Sequence, residues 1–179
     1  MTNGADLVGE DRAARACRAT AAALRAASIA TEALASFEPE GKRLLVLRRP
    51  AIMRPIGEVW RLGTLLLDTD AKLWAAGRAT RAAERGRVGY QSVSREERRE
   101  IAAAALRGGY PEGTPVNFDA VAMPLEASAL RALDADAPIG VSDGEVRVRW
   151  RSGAPLQGAP TLAQYLSERA DLLIHRLRA

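Results

Sequence analysis

The side chains that most often carry acid–base or nucleophilic chemistry are scarce in this chain of 179 residues, which has one histidine and one cysteine. His175 is its only side chain with an unperturbed pKa near neutrality, and Cys17 is its only thiol. The two are far apart in sequence, and neither belongs to a recognisable catalytic motif. We therefore predict no catalytic residue, no metal ligand and no cofactor, and the residues favour a non-enzymatic role.

Each of these two residues has a simpler structural interpretation. Cys17 lies among alanines on the apolar side of a predicted helix, which favours a small core residue over a reactive thiol. His175 lies near the C-terminal end of the last predicted helix, away from its apolar stripe. There the imidazole can interact favourably with the helix dipole.

Two pairs of carboxylates are spaced two residues apart, Asp68 with Asp70 and Asp134 with Asp136. Such a pair can hold a hard cation when other oxygen ligands join it. Aspartate is also an ordinary turn residue, because its side chain accepts hydrogen bonds from nearby backbone amides. We interpret both pairs as turns.

Arginine supplies most of the positive charge. Lys42 and Lys72 are the only lysines among 26 Lys and Arg residues, and the formal net charge is +4. This composition fits an arginine-rich surface that binds phosphate or nucleic acid. It also fits the Arg and Ala bias of a GC-rich genome, which is the interpretation we favour.

The densest basic segment runs from Lys42 to Arg61, with six positive charges and one acid, Glu58. If its prolines hold the segment extended, alternate guanidinium groups could bind an anion bidentately, and arginines on a neighbouring strand would complete a basic patch. The alternative is a set of solvated arginines that discourage pairing at a sheet edge. The candidate anion-binding residues are Arg48, Arg49, Arg54, Arg147 and Arg149.

Recognition of nucleic acid usually adds exposed aromatic rings or a recognition helix. Trp60, Trp74 and Trp150 lie in apolar alternation and are predicted to be core residues. Tyr90 and Tyr110 border loops, and no helix-turn-helix spacing is evident. The aromatic residues therefore lend nucleic-acid binding little support.

Hydrophobic periodicity and capping signals predict both helices and strands. The predicted helices cover residues 10–27, 28–37, 94–107, 125–133 and 161–177. The predicted strands are a central strand over 59–67, its hairpin partner over 72–80, a strand over 116–121, and a hairpin of 139–141 with 146–151.

This mixed order predicts an α+β fold, an antiparallel sheet with helices packed on one face. Pro39 and Gly41 interrupt both periodicities, so we predict an N-terminal helical arm over 1–37 and a single α+β domain over 38–179. No strand–helix–strand unit carries a glycine-rich phosphate loop, which argues against a doubly wound nucleotide-binding fold.

The N-terminal segment is acidic and has no apolar run, and no stretch of about 20 apolar residues follows. A lone cysteine is compatible with a reducing compartment. These features predict a cytoplasmic protein that does not enter a membrane.

Three segments carry a resemblance to known sequences: RPAIMRPIGEVWRLG at 49–63 with LLL at 65–67, GTPVNF at 113–118, and LAQYL at 162–166. Together they resemble a group of short, uncharacterised proteins from high-GC actinobacteria, over roughly residues 45–178. Some members of that group are labelled glutaminase. Serine-dependent glutaminases need a Ser-x-x-Lys nucleophile, and no serine stands three residues before Lys42 or Lys72.

Three functions follow as hypotheses. The first is a non-catalytic protein that self-associates, as a homodimer, or binds a partner. The second is a protein that binds an anion or nucleic acid through its arginine-rich face. The third is an amide hydrolase of the glutaminase type, as the resemblance implies.

Overall fold

The computed structural model describes residues 4–43, 47–86 and 93–176, with side chains for all of these except 4–8, 42, 43, 47, 48 and 127. The helices are α1 Gly4–Ala26, α2 Val93–Arg107, α3 Ala127–Arg131 and α4 Leu162–Arg176. The strands are β1 Glu32–Glu38, β2 Gly41–Arg43, β3 Leu47–Arg49, β4 Ile52–Leu62, β5 Leu65–Asp68, β6 Leu73–Ala75, β7 Arg78–Arg81, β8 Pro115–Phe118, β9 Val121–Met123, β10 Ile139–Ser142 and β11 Glu145–Val148.

Seven of these strands form one sheet in the order β7-β8-β1-β4-β5-β6-β9. The pairs β1–β4, β5–β6, β6–β9 and β7–β8 are antiparallel, whereas β1 and β8 are parallel. Strands β10 and β11 form a separate two-stranded sheet, as do β2 and β3. The predicted α+β fold class is therefore confirmed.

The chain clusters into two compact units. The first contains residues 1–30, 60–75 and 121–179, and the second contains residues 31–59 and 76–120. The boundaries between the units follow residues 30, 59, 75 and 120. Helix α1 contributes to the core of the first unit, in which Cys17 and Leu24 are fully buried.

The core of the first unit is built from α1, α4 and the apolar faces of several strands. Trp60, Leu65 and Leu67 pack in one cluster with Ile139 and Leu166. Helix α4 begins at a capping box, as its sequence predicts: the amide of Gln164 donates to Thr161 Oγ1 and the amide of Thr161 donates to Gln164 Oε1. This cap fixes the start of the helix that supplies Tyr165 and Leu166 to the core.

The second unit has its own core, in which α2 contributes Ile101, Ala104 and Ala105. Met53 and Phe118 lie in the same cluster. The predicted helix over 94–107 is confirmed within one residue at its start, and it ends before Gly109, which has the positive φ of 92° that a helix C-terminus favours.

The helix predicted over residues 28–37 is wrong. Helix α1 stops where Ser28 adopts a positive φ of 54°, and the following residues form β1. Strand β1 pairs with β4 on one side and with β8 on the other. Pairing on both edges outweighs the helical preference of its alanines, because strand formation depends more on neighbours than on intrinsic preference.

The single central strand predicted over 59–67 is also wrong. The segment contains the end of β4, a turn at residues 63–64 and the start of β5. Gly63 takes a positive φ of 69° between β4 and β5. The sequence does not indicate this turn, because the residues on both sides of it are buried and therefore apolar. The predicted return arm is confirmed where β6 pairs with β5, from Leu65 opposite Ala75 to Leu67 opposite Leu73.

Of the two prolines in the basic segment, Pro55 lies in the extended strand β4, as predicted, whereas Pro50 lies between β3 and β4. The register of β4 against β1 shifts between Leu34 and Ala35, so that Leu34 faces Gly57 and Ala35 faces Pro55. Proline lacks an amide hydrogen, and an irregularity of this kind is where a strand tolerates it.

Candidate interaction surfaces

The structure divides the predicted anion-binding arginines into two groups. Arg49 and Arg54 are exposed, and both form ion pairs with Glu38 at the end of β1. The hydrogen bond from Arg54, and then the charge of Arg49, lower the pKa of the Glu38 carboxyl. These two guanidinium groups therefore share an internal counter-ion. Arg48 belongs to β3, and its side chain lies outside the described residues.

Arg147 and Arg149 are half-buried and donate to backbone carbonyls. Arg149 Nε lies 2.9 Å from the oxygen of Ala154, and its Nη1 lies 2.9 Å from the oxygen of Ala137 and 3.2 Å from that of Ile139. Arg147 donates to the carbonyls of Ser142 and Ala159. Both side chains therefore bind the backbone of the segments around the β10–β11 hairpin by hydrogen bonds.

The expectation that these arginines lie on a strand next to the 48–54 segment is wrong. Strand β11 pairs with β10 in its own sheet, whereas β4 belongs to the seven-stranded sheet. Strand order depends on long-range pairing, which the local alternation of Val146 and Val148 does not encode.

The three tryptophans have three different environments. Trp60 is buried, as predicted, and its indole N–H donates to the oxygen of Ile29 at 2.9 Å. Trp74 is half-buried and donates to Asp68 Oδ2 at 3.1 Å. The prediction for Trp150 is wrong: it is 70% exposed, because β11 ends at Val148, and the guanidinium of Arg151 lies 4.6 Å from its ring centre.

The carboxylates at 68 and 136 behave as turn residues. Asp68 Oδ1 accepts from the amides of Asp70 and Lys72 at 2.9 and 2.8 Å, which confirms the turn. Asp136 lies in a turn in which the amide of Ala137 donates to the oxygen of Asp134 at 2.9 Å, and its carboxylate accepts from the hydroxyl of Ser152 at 2.7 Å. Over the described ranges, no group of three or more His, Cys, Asp or Glu residues is arranged to hold a metal ion.

Cys17 is fully buried in the core of the first unit, which confirms its prediction as a core residue. Desolvation by burial raises the pKa of its thiol from the usual 9.0 to about 11. The imidazole of His175 is exposed in the last turn of α4, also as predicted. A buried thiol with a raised pKa is a poor nucleophile, and an exposed histidine does not activate it.

We expect the stability of the protein to fall as the pH rises from 9 towards 11, because of Cys17. The unfolded state releases the thiol proton near pH 9, whereas the folded state keeps it up to about pH 11. Deprotonation therefore favours the unfolded chain, by about 1.4 kcal/mol at pH 10. Urea unfolding of the wild type and of Cys17→Ala over this pH range measures the difference.

The Cys17→Ala variant lacks this thiol, so the difference between the two proteins isolates it from other groups that titrate at high pH. A thiol reagent at pH 8 should label the native protein only as fast as it unfolds. Rapid labelling of the native state, or identical pH dependence of the two proteins, would contradict the prediction.

Helices α1 and α4 pack together in the first unit and leave a groove of about 310 Å³ between them. We call this surface the α1/α4 groove. Small side chains repeat along both of its walls at helical spacing. Its lining includes Ala16, Ala19, Thr20, Ala23, Ala163 and Ser167.

Thr20 is the polar residue most deeply set in this groove. It is only 8% exposed, and within the described part of the chain its hydroxyl has no hydrogen-bond partner. Because the hydroxyl opens onto the groove, water can reach it, and a polar group that enters the groove can pair with it.

The rims of the groove carry opposite charges. Arg15 lies one turn before Ala19 on α1, and Asp171 lines the groove from α4. Both side chains are exposed, and neither forms an ion pair with another residue that the structure describes. The surface therefore pairs a basic rim with an acidic rim.

Sequence periodicity found the buried stripe of α1 but missed this groove. The signal was present in the alanines at 16, 19 and 23, which repeat at intervals of three and four residues. Alanine is the commonest helix former, so its repetition alone does not distinguish a docking surface from helix preference.

No family model matches the chain, and neither a curated protein nor a solved structure gives a significant match. Within the residues described, none of the helices is long and apolar enough to cross a membrane. The fold and its surfaces are therefore the basis for a functional proposal.

Proposed function

We propose that this protein is a non-catalytic, self-associating protein, a homodimer formed through the α1/α4 groove. The observation that supports it is a groove of small side chains whose two rims carry charges of opposite sign, neither of which forms an ion pair with another described residue. A two-fold symmetric interface places the same patch of each copy against the other. Such a patch must be complementary to itself, which a basic rim beside an acidic rim satisfies.

In this dimer Arg15 of each copy lies opposite Asp171 of the other, so two equivalent ion pairs flank the interface. The alanines between them allow close approach of the helix backbones, because no long side chain holds them apart. The second copy therefore supplies a partner for the charge on each rim.

Charge exchange tests this arrangement. We expect Arg15→Glu and Asp171→Arg each to raise the dissociation constant of the dimer about tenfold, since each change places like charges at two symmetric positions. The double variant restores opposite charges and should recover most of the wild-type affinity, as coupled residues do. Sedimentation or light scattering over a range of protein concentrations measures the dissociation constants of the wild type and the three variants.

Arg18→Glu is the matched control, because it makes the same substitution on the same helix at a position turned away from the groove-lining residues. It should leave the dissociation constant within about twofold. A wild-type protein that stays monomeric at high concentration would refute the proposal. Equal effects of Arg15→Glu and Arg18→Glu, without recovery in the double variant, would refute the assignment to this groove.

A further inference from the structure

A cavity of about 220 Å³ lies beside β10 in the first unit, and we call it the β10 cavity. Much of its wall is aliphatic. The aliphatic lining residues are Leu130, Leu133, Ile139, Val141 and Leu156. Three charged residues, Arg131, Asp134 and Arg149, also line it. An apolar cavity with a small number of charged groups is the usual form of a site for a small molecule.

Arg149 has donors left after it has bound the backbone. A guanidinium can donate from Nε, Nη1 and Nη2. In Arg149, Nε donates to the oxygen of Ala154, and Nη1 donates to the oxygens of Ala137 and Ile139. Nη2 has no acceptor among the residues that the structure describes, and Arg149 forms no ion pair with any of them. This nitrogen can therefore donate to a bound carboxylate, in a charge-assisted hydrogen bond.

Gly140 leaves room for Arg149 to lie against β10. A Cβ atom at Gly140 would lie 3.2 Å from Arg149 Nη1 and 2.7 Å from Cδ1 of Leu156. The bonds from Nη1 to the oxygens of residues 137 and 139 then hold the guanidinium at this strand. Because the guanidinium is fixed before a ligand binds, binding removes less entropy from the side chain.

Asp134 supplies the opposite charge. Its side chain is exposed, and it forms no ion pair with another residue of the described ranges. Asp134 begins a turn that ends at Ala137, and the oxygen of Ala137 accepts from Arg149 Nη1 at 2.9 Å. The acidic residue therefore belongs to a turn that the arginine itself holds. Arg131 already has an interaction partner, so we assign it no role in binding.

We propose that the β10 cavity binds a free aliphatic α-amino acid, such as leucine or valine. At neutral pH an amino acid carries a carboxylate and an ammonium group on the same carbon atom. Arg149 and Asp134 provide one group of opposite charge for each, and the aliphatic wall receives the side chain. A peptide fits less well, because its two charges lie at opposite ends of its backbone.

The volume of the β10 cavity is consistent with this class of ligand. A water molecule in the liquid occupies about 30 Å³, so the cavity has room for roughly seven atoms of that size. This is comparable with the heavy atoms of a small aliphatic amino acid. No described residue lines both the β10 cavity and the α1/α4 groove, so the site does not depend on the proposed dimer.

Calorimetric titration of the wild type with leucine at neutral pH tests the proposal. Two analogues are titrated beside it: isocaproate, which lacks the ammonium group, and isoamylamine, which lacks the carboxylate. We expect saturable binding of leucine, and an affinity lower by about tenfold or more for each analogue, because each loses one charge-assisted hydrogen bond. Absence of saturable leucine binding, or equal affinities for leucine and either analogue, would overturn the amino-acid site.

Asp134→Asn removes one charge and keeps the size of the side chain. We expect it to lower the affinity for leucine about tenfold, without lowering the affinity for isocaproate. Asp136→Asn is the matched control, because Asp136 is an exposed carboxylate of the same turn that is not among the lining residues. It should bind leucine as the wild type does. Equal losses of leucine affinity in the two variants would refute the role of Asp134.

Arg149→Lys keeps a positive charge but loses the planar fork that holds the backbone and faces the ligand. We expect it to weaken the binding of leucine and of isocaproate alike, since both carry the carboxylate. Circular dichroism checks its folding, and the exposed position of Asp134 keeps the test open if this variant does not fold. A folded Arg149→Lys protein with the wild-type affinity for leucine would contradict the assignment of the carboxylate to Arg149.

Discussion

Replacement of Trp60 by alanine is expected to destabilise the protein by about 3–5 kcal/mol. The indole is 2% exposed and packs in the core of the first unit, so its removal leaves a large cavity. It also removes the donor to the oxygen of Ile29. Since a domain is stable by only about 5–15 kcal/mol, much of the protein should unfold at low denaturant.

Urea unfolding followed by circular dichroism measures this effect, at one protein concentration because the proposed self-association would contribute to stability. Trp150→Ala is the matched control, since it removes the same side chain where it is 70% exposed. We expect it to change stability by less than about 0.5 kcal/mol. Similar losses from both substitutions would contradict the assigned environments of the two tryptophans.

Replacement of Arg149 by methionine is expected to destabilise the protein by about 2–4 kcal/mol, although the residue carries a charge and lies on a short strand. Its guanidinium donates to three carbonyls, those of Ala137, Ile139 and Ala154. Methionine fills a similar length but leaves these oxygens without their donor. A hydrogen bond to a charged group contributes about 1.5–3 kcal/mol net, and water can reach part of this half-buried site, so the total loss is smaller than three such bonds.

Thermal unfolding of Arg149→Met beside Arg151→Met measures this effect. Arg151 is exposed and stacks on Trp150, so its loss should cost less than about 0.5 kcal/mol. An unfolding temperature of Arg149→Met equal to that of Arg151→Met would show that the carbonyls do not depend on this side chain.

The contrast between Arg149 and Arg151 shows what local periodicity can predict. Alternation in β11 correctly places Val146 and Val148 in the core. It also predicts arginines that point to solvent, but the segments around Ala137 and Ala154 come back to Arg149 and accept its hydrogen bonds. Those loops have no periodic signal, so the burial of Arg149 becomes visible only in three dimensions.

Capping motifs were more informative than composition. The Thr161–Gln164 box predicts the start of α4 within one residue, because a cap depends on groups three positions apart. Helix α2 begins at Val93, so Ser94 lies inside the helix and does not cap it. The ion pairs of Glu38 depend instead on which strands are neighbours. Strand order cannot be predicted from local sequence patterns, so these ion pairs could not be predicted either.

The candidate surfaces were predictable only in part. Arg61 belongs to the basic segment that the sequence singles out, but it lines a cavity together with Arg169 and Arg176 from the other end of the chain. The arginines of the basic segment therefore lie in different environments and do not form one patch. Arg49 and Arg54 bind Glu38, whereas Arg61 faces a cavity.

The parallel pairing of β1 with β8 has a consequence for biosynthesis. Ala33 aligns with Val116, and most of the second unit separates them in the chain. On the ribosome β1 and β4 can join early, but the other margin of β1 remains open until β8 has emerged, several seconds later at about 5–20 residues per second. During this interval the nascent chain presents an unprotected hydrogen-bonding edge, which is where a chaperone would be of most use.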